Sequence, residues 1–534
     1  MSLETTAGLP EMAASKTATL PRRTIGQLVA ISIFWFALNF HWAALPLLIV
    51  PSQVVGLLFR EAPGATLAAR ATWINAHEGL ALALVVAPGL IVALITNPFF
   101  GLLSDRTPGR LGRRRPYILG GTLLNVVGLA VMAFAPLLFI TGGNGNAFPP
   151  SLIVLMLGLM LTQFSNNAAA APFHALLPDM VPEGQRGLAS GIMGLAYWLG
   201  TICGALFPAL TGFNTTALEN GTQSFDAFQH AIALAYVITM VVIVVMAVLT
   251  VIFVHETPWQ PNAASARQQA EERGTSRTLL LTILAVIVVC GGAILLLHAI
   301  PGQSLNTDSL SILQVIGVCI AGYGAARAFH FHPRRNPDFS WVVLTRMLVM
   351  MGVYIVENFL SYYMKDVAHA SNPAAATSEF IIFLTISATV STAISGWASD
   401  KVGRKRMVYV SGSFMAVVGA AFVLAPYLLP NNVLQLALGA AFIFGLGFGA
   451  YVSVDWALVA DVLPNEATFA RDMGVWNIGL TLPQVFAVVF GGWLLTLGVA
   501  LGNPSFGYTL LFVFFVIFCV LGTVTIRNIK GIKR

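Results

Sequence analysis

The chain has 534 residues, 57% of them hydrophobic and only 9% charged, with a net charge of +6 and a mean hydropathy of +0.81. That balance excludes a water-soluble globule, because apolar surface in such excess must face lipid, and it defines an all-α integral membrane protein. The four cysteines, Cys203, Cys290, Cys319 and Cys519, all fall in apolar runs, where a disulfide has no oxidising solvent to form it, and they read as packing residues.

A helix needs about 20 apolar residues to cross roughly 30 Å of hydrocarbon. Residues 1–25, rich in Ala, Thr and Ser, read as a cytoplasmic tail. The first apolar run is too long for a signal-peptide core and stays as the first span. An N-terminal bundle over 26–254 holds six spans, at 26–50, 80–102, 117–140, 151–173, 187–211 and 229–254, with a long loop at 51–79. A central linker, 255–338, carries two further runs at 278–300 and 309–329, long enough to cross as an inserted transmembrane hairpin. A C-terminal bundle over 339–526 holds spans at 340–363, 379–399, 407–429, 433–457, 473–499 and 506–526, before a cytoplasmic tail at 527–534. The total is about 14 spans.

Short cytoplasmic loops keep Lys and Arg while translocated loops shed them. One set of alternate loops collects most of the cations, among them Arg106, Arg113, Arg114, Arg115, Arg186, Lys401, Arg404, Lys405, Arg406 and Arg471, whereas the opposite set has only Arg60, Arg70 and Lys365. Both termini fall on the basic side, so the number of spans is even and both ends are cytoplasmic, as in a multi-pass protein of the cell membrane. The positive charge thus records orientation and contact with anionic lipid rather than a nucleic-acid footprint. Two N-x-T sequons, at Asn214 and Asn220, lie on the translocated side.

The string GLLSDRTPGRLGRRRPY at 101–117 recurs in shortened form as GWASDKVGRKR at 396–406. Each copy joins two apolar runs through a tight basic loop, so two halves repeat one design. Gly101, Ser104, Asp105, Arg106, Gly112, Arg113, Arg114 and Arg115 align with Gly396, Ser399, Asp400, Lys401, Gly403, Arg404, Lys405 and Arg406. The positive-inside rule explains the arginines but not the aligned glycines, serines and aspartates. An acid at a helix end can hold arginines and a neighbouring helix N-terminus in one conformation and release them in another, as a gate latch does. Asp179, Arg186, Asp461 and Arg471, at the corresponding ends of the fourth and tenth spans, join this group.

These loops resemble the signature of the major facilitator superfamily. With PFHALLPD at 172–179 and GVWNIGLTLPQ at 474–484, the likeness is closer to its sucrose-transporter-like branch, related to the glycoside-pentoside-hexuronide symporters. The resemblance implies two pseudo-symmetric six-helix bundles around a central cavity bordered by the first, fourth, seventh and tenth spans. The chain departs from the branch where His174 replaces the arginine of the fourth span, turning a fixed cation into a titratable one.

An ionisable group inside a span costs about 2.5–3.5 kcal/mol on insertion scales and normally faces a polar cavity. Asp455 and Glu357 are the deepest carboxylates. Desolvation favours the neutral form of such an acid, which suits it to take a proton from one side and return it to the other. With His174, they are the candidate proton-coupling residues. Stripes at helical spacing place Asn39 with Trp42, and Tyr354 with Asn358 and Tyr362, on one face each; Gln163, Asn167 and His174 line the fourth span, Trp456 stands beside Asp455, and Asn477 and Gln484 share a side of the eleventh. Amides and hydroxyls beside aromatic faces suit a sugar, which offers hydroxyl edges and an apolar CH face. Interhelical hydrogen bonding explains any one of them equally well.

Other motifs fail on context. GLGFGA at 445–450 imitates a nucleotide loop but lies inside a span, where small residues serve close helix packing. HETPW at 255–259 lacks the second histidine of a zinc site. No acid stands at the centre of the second span, which disfavours sodium coupling of the melibiose type. The expected function is therefore secondary transport, not enzymology: proton-coupled import of a sugar or glycoside by alternating access, by a monomer with no cofactor or metal, its partners being the solute, protons and membrane lipid. A proton-driven exporter of amphipathic small molecules and a non-transporting receptor on the same fold are the alternatives.

Overall fold

A computed structural model describes residues 21–64, 66–105, 107, 111–137, 145, 148–182, 185–256, 266–293, 307–328, 333–334, 336–462 and 469–530. The N-terminal half comprises α1 (Ile25–Glu61), α2 (Leu67–Asp105), α3 (Arg115–Phe134), α4 (Pro150–Met180), α5 (Arg186–Thr211) and α6 (Phe225–Phe253). The C-terminal half comprises α7 (Pro337–Glu357), α8 (Pro373–Val402), α9 (Arg404–Leu428), α10 (Val433–Val462), α11 (Phe469–Ala500) and α12 (Pro504–Thr525). Among the described residues, eleven helices are long and apolar enough to cross a membrane, and shorter apolar stretches lie at Gly191–Leu206, Arg277–Cys290 and Ile312–Ala328. The chain is a multi-pass membrane protein.

Local chemistry starts these helices where the turns require it. Thr24 caps α1 in a capping box with Gln27, while Ser224, Asn372 and Asn503 each accept an N–H of the following first turn. Pro337, Pro373 and Pro504 occupy the first turn, where no donor is lost. On α6, Val237, Val241, Val245, Val248 and Ile252 face outward as a lipid-exposed stripe. Polar residues point inward, the reverse of a soluble bundle, because lipid accepts only apolar side chains.

The expected long loop at 51–79 is almost entirely helix. Pro46 and Pro51 remove two N–H donors, and α1 passes them through a π-helical turn at Leu45–Ile49 instead of ending. Val54, Val55 and Leu58 beyond that turn are fully buried, so packing carries the helix past the expected boundary. Beginning α2 at Leu67 also brings Glu78 into a helix whose expected span, from 80, held no acid.

The halves meet where α2 runs along α11 and α5 along α8. Within the C-terminal half, Gly445 and Gly449 of the GLGFGA string lie where an added Cβ would strike the carbonyls of Leu384 and Ala388, so these glycines admit α8 against α10. The central helices Ala266–Val286 and Thr307–Ala328 pack on each other and against α2 and α11. Pro88 inside α2 has no N–H to give the Leu84 carbonyl four residues earlier. Gln314 from the insertion fills that vacancy, its Nε2 donating to Leu84 O at 3.0 Å in a buried setting.

Candidate functional site

α7 stops at Glu357; the helical path breaks at Phe359, whose φ is −112°, and a separate helix, Leu360–Asp366, resumes. The Asn358 amide donates back to Tyr354 O at 2.7 Å, and Asn39 in α1 makes the equivalent bond to Trp35 O, also 2.7 Å. Asn39-Phe40 and Asn358-Phe359 stand at matching places in the two halves, and each asparagine makes the same local bond. The break has a second effect. Tyr362, expected on the face of Tyr354 and Asn358, is buried and donates to Pro51 O at 3.2 Å across the two halves.

Glu357 lines a cavity of about 140 Å³ between α5 and the C-terminal half. Tyr197, Trp198 and Thr201 form one side, and Phe380, Phe422, Phe444, Phe448, Phe512 and Phe515 the other. Among the described residues no Lys, Arg or His forms an ion pair with Glu357. Tyr197 stands 6.1 Å by ring centroid from Trp35, which meets His174 edge-on at 4.5 Å. His174 is thus connected to the cavity rim through aromatic rings. Tyr354 hydrogen bonds Gln484 of α11.

Asp455 has a different setting. Its Oδ2 is paired with Arg346 of α7, the two being 2% and 5% exposed, and Tyr451 donates to its Oδ1 at 3.4 Å. The Arg346 guanidinium also covers the Trp476 ring at 3.5 Å. Sequence reasoning missed Arg346. The signal was present, since an arginine inside the apolar string VVLTRMLVMM demands an acidic partner at its own depth.

The remaining polar candidates are spread rather than gathered. Asn167 accepts from Asn97 at 3.0 Å and donates to Gln163 O at 2.8 Å, inside the N-terminal half. Gln163 Oε1 is buried with no hydrogen-bond donor among the described residues. Trp42 packs against the core. The side chains of Trp456 and Asn477 lie outside the described residues, as do those of Asp105, Arg186, Asp400, Asp461 and Arg471 and the whole of Arg106.

In the arginine loop, Asp179 gathers the cations: Arg113 reaches its Oδ1 at 2.6 Å and Arg114 its Oδ2 at 3.1 Å. Gly112 takes φ +88°, a conformation that glycine adopts freely. Beside it, Glu256 receives the backbone N–H groups of Arg113 at 2.8 Å, Arg114 at 3.0 Å and Arg115 at 2.8 Å. A carboxylate on the N-terminus of α3 complements the helix dipole and three donors that would otherwise be orphaned. Glu256→Ala should lower stability by about 2 kcal/mol, read as an earlier thermal unfolding transition of the purified protein. In the second copy, Lys401 lies 4.0 Å over the Trp397 ring, Gly403 takes φ +98°, and Lys405 donates to Ile529 O.

Two repeated helical halves joined along a seam, each with a basic loop between its second and third helices, define the class of two-bundle membrane transporters. The family model for the Major Facilitator Superfamily matches residues 28–470 and 342–530, and the chain belongs to that superfamily. It is 25% identical over 450 residues to sucrose transport protein SUT1 of Oryza sativa subsp. japonica, covering 78% of this chain and 76% of the relative. It is 27% identical over 175 residues to the general alpha-glucoside permease of Schizosaccharomyces pombe, 32% of this chain and 30% of that one. Among solved structures, the peptide transporter POT in complex with sulfate superposes with a TM-score of 0.60 at 17% identity, over 96% of each chain. The xylose transporter XylE from E. coli, in a partially occluded inward-open conformation, gives 0.57 at 14%, over 95% of this chain and 99% of that one. The resemblance to the sucrose-transporter-like branch holds, and the superfamily consists of transporters rather than enzymes.

Proposed function

We propose that the chain imports a sugar or glycoside together with a proton, by alternating access about the seam between the bundles. The observation that carries this reading is Glu357, an in-span carboxylate without a cationic partner among the described residues, on the wall of a cavity between the halves. A carboxylate already neutralised by a fixed arginine, as Asp455 is by Arg346, is a poor shuttle; one facing a cavity alone is free to gain and lose a proton. Glu357 is accordingly the coupling residue, with His174 behind Trp35 as its relay. Tyr354, Asn358 and Gln484 supply polar contacts close by, and Asn39, Trp42, Gln163 and Asn167 belong to the facing half. The sugar assignment is supported by the sucrose and alpha-glucoside relatives. Both termini lie on the arginine side, in the cytoplasm, and the two central helices cross as a hairpin, making fourteen spans.

Labelled sucrose, maltose or glucose offered to proteoliposomes under an imposed pH gradient should accumulate inside. The phenyl rings around Glu357 favour one second reading, export of an amphipathic compound. An exporter shows no inward accumulation, and binding without counterflow identifies a receptor instead.

A further inference from the structure

At the outer end, opposite the arginine loops, one ammonium sits among three carboxylates. Lys365 Nζ pairs with Glu78 Oε2 and lies 3.3 Å from Glu219 Oε1 and 3.6 Å from Asp366 Oδ1. It also donates to Asn75 Oδ1 at 2.9 Å, with the Tyr362 ring 5.6 Å away. Tyr508 of α12 donates to Asp366. Charge counting alone expects Lys365 in a translocated loop; the structure buries it, with Glu78 and Glu219, at 8%, 1% and 7% exposure.

Three carboxylates against one ammonium would leave two uncompensated negative charges away from water, and each such charge costs several kcal/mol. Like charges sharing a site do not all ionise, so the group retains a proton. The hydrogen bonds say where. Asp366 is held by Tyr508 and Glu219 Oε1 accepts from Lys365, but Glu78 Oε1, fully buried, has no hydrogen-bond partner among the described residues. Glu219, on the short helix Thr215–Glu219 outside the spans, leans the same way: burial pushes its carboxyl up from the ordinary value, while Lys365 pulls it back.

The cluster is also a seam between the halves. Asn75, Glu78 and Glu219 belong to the N-terminal half, and Lys365, Asp366 and Tyr508 to the C-terminal half. Beside it, Asn214 Nδ2 donates to Ser371 O at 2.9 Å and Thr216 Oγ1 to Ala370 O at 3.4 Å, so the amide of the first sequon is itself part of the closure.

We infer that closing the outer end takes up one proton, held by Glu78 or Glu219, and that this cluster is a proton-binding lock. Opening separates the carboxylates and returns them to water, where a glutamate keeps its proton only near or below 4.5. A proton held more tightly in the closed form stabilises that form. The contribution is fully present below the open-form value and is lost as pH rises through the higher closed-form value. The inference rests on the alternating-access part of the proposed function and not on its substrate.

Hydrogen–deuterium exchange of the purified protein, without substrate or gradient, tests it separately from the uptake assay. Once corrected for the intrinsic effect of pH, exchange in segments 212–224 and 366–372 should quicken between about pH 5 and pH 9, by up to about tenfold per pH unit for a single proton. Glu78→Gln should keep the end closed across that range and flatten the dependence, whereas Glu78→Asp should retain it. A flat wild-type profile overturns the inference. So does a wild-type slope that survives in both Glu78→Gln and Glu219→Gln. Should either variant fail to fold, the wild-type profile alone decides.

Discussion

Glu357→Gln is expected to abolish gradient-driven accumulation while leaving substrate exchange across the membrane intact. Glutamine keeps the shape and hydrogen-bonding reach of the side chain but offers no site for a proton. An imposed gradient of about two pH units is worth about 2.7 kcal/mol, so a one-to-one symporter accumulates its solute about 100-fold, and the variant should equilibrate near onefold. Counterflow, which needs the bundles to rock but not the proton to move, reports that the variant is folded and binds solute. Retained accumulation in Glu357→Gln would transfer the coupling role to another group, with His174 next in position.

Asp455→Asn should instead act as a stability lesion. The variant strands the Arg346 guanidinium in an apolar interior, and breaking a buried pair from one side costs about 3–5 kcal/mol. Arg346→Met should be comparably damaging, because it strands the acid. Replacing both, as Arg346→Met with Asp455→Leu, removes the two charges together and should recover most of the loss. Thermal and denaturant unfolding of the purified variants gives the cycle. If Asp455→Asn keeps wild-type stability yet loses coupled accumulation, Asp455 carries the proton and the pair with Arg346 is a transient state of the transport cycle.

The arginine loops were legible in the sequence because charge in a membrane protein is sparse and its placement is constrained. The repeated glycine, serine and aspartate then pointed to duplicated halves. Span centres followed from apolar length, and the GLGFGA glycines from their spacing. The ends of the helices did not, because α1 and α2 continue beyond the expected span ends on packing that hydropathy does not register, as buried Val54 and Leu58 show. Partnerships were less legible still. Arg346 with Asp455 is separated by 109 residues and Lys365 with Glu78 by 287. A carboxylate's role depends on what the fold delivers to it: Asp455 and Glu357 look alike in sequence, but Asp455 receives Arg346 and Tyr451 while Glu357 lines a cavity. HETPW, empty as a zinc motif, contributes Glu256, whose task of capping the N-terminus of α3 needs the loop geometry to be seen.

The Gln314 bond to the Leu84 carbonyl bears on how the central insertion arose and whether it is dispensable. Excising the two helices would leave a peptide oxygen of α2 bare in hydrocarbon beside Pro88, at a cost of several kcal/mol. The same pair of helices touches both α2 and α11, and so rests on one member of each half. It is a splint laid across a joint: under the proposed alternating access the bundles would slide beneath it, and proline and splint are expected to be gained or lost together.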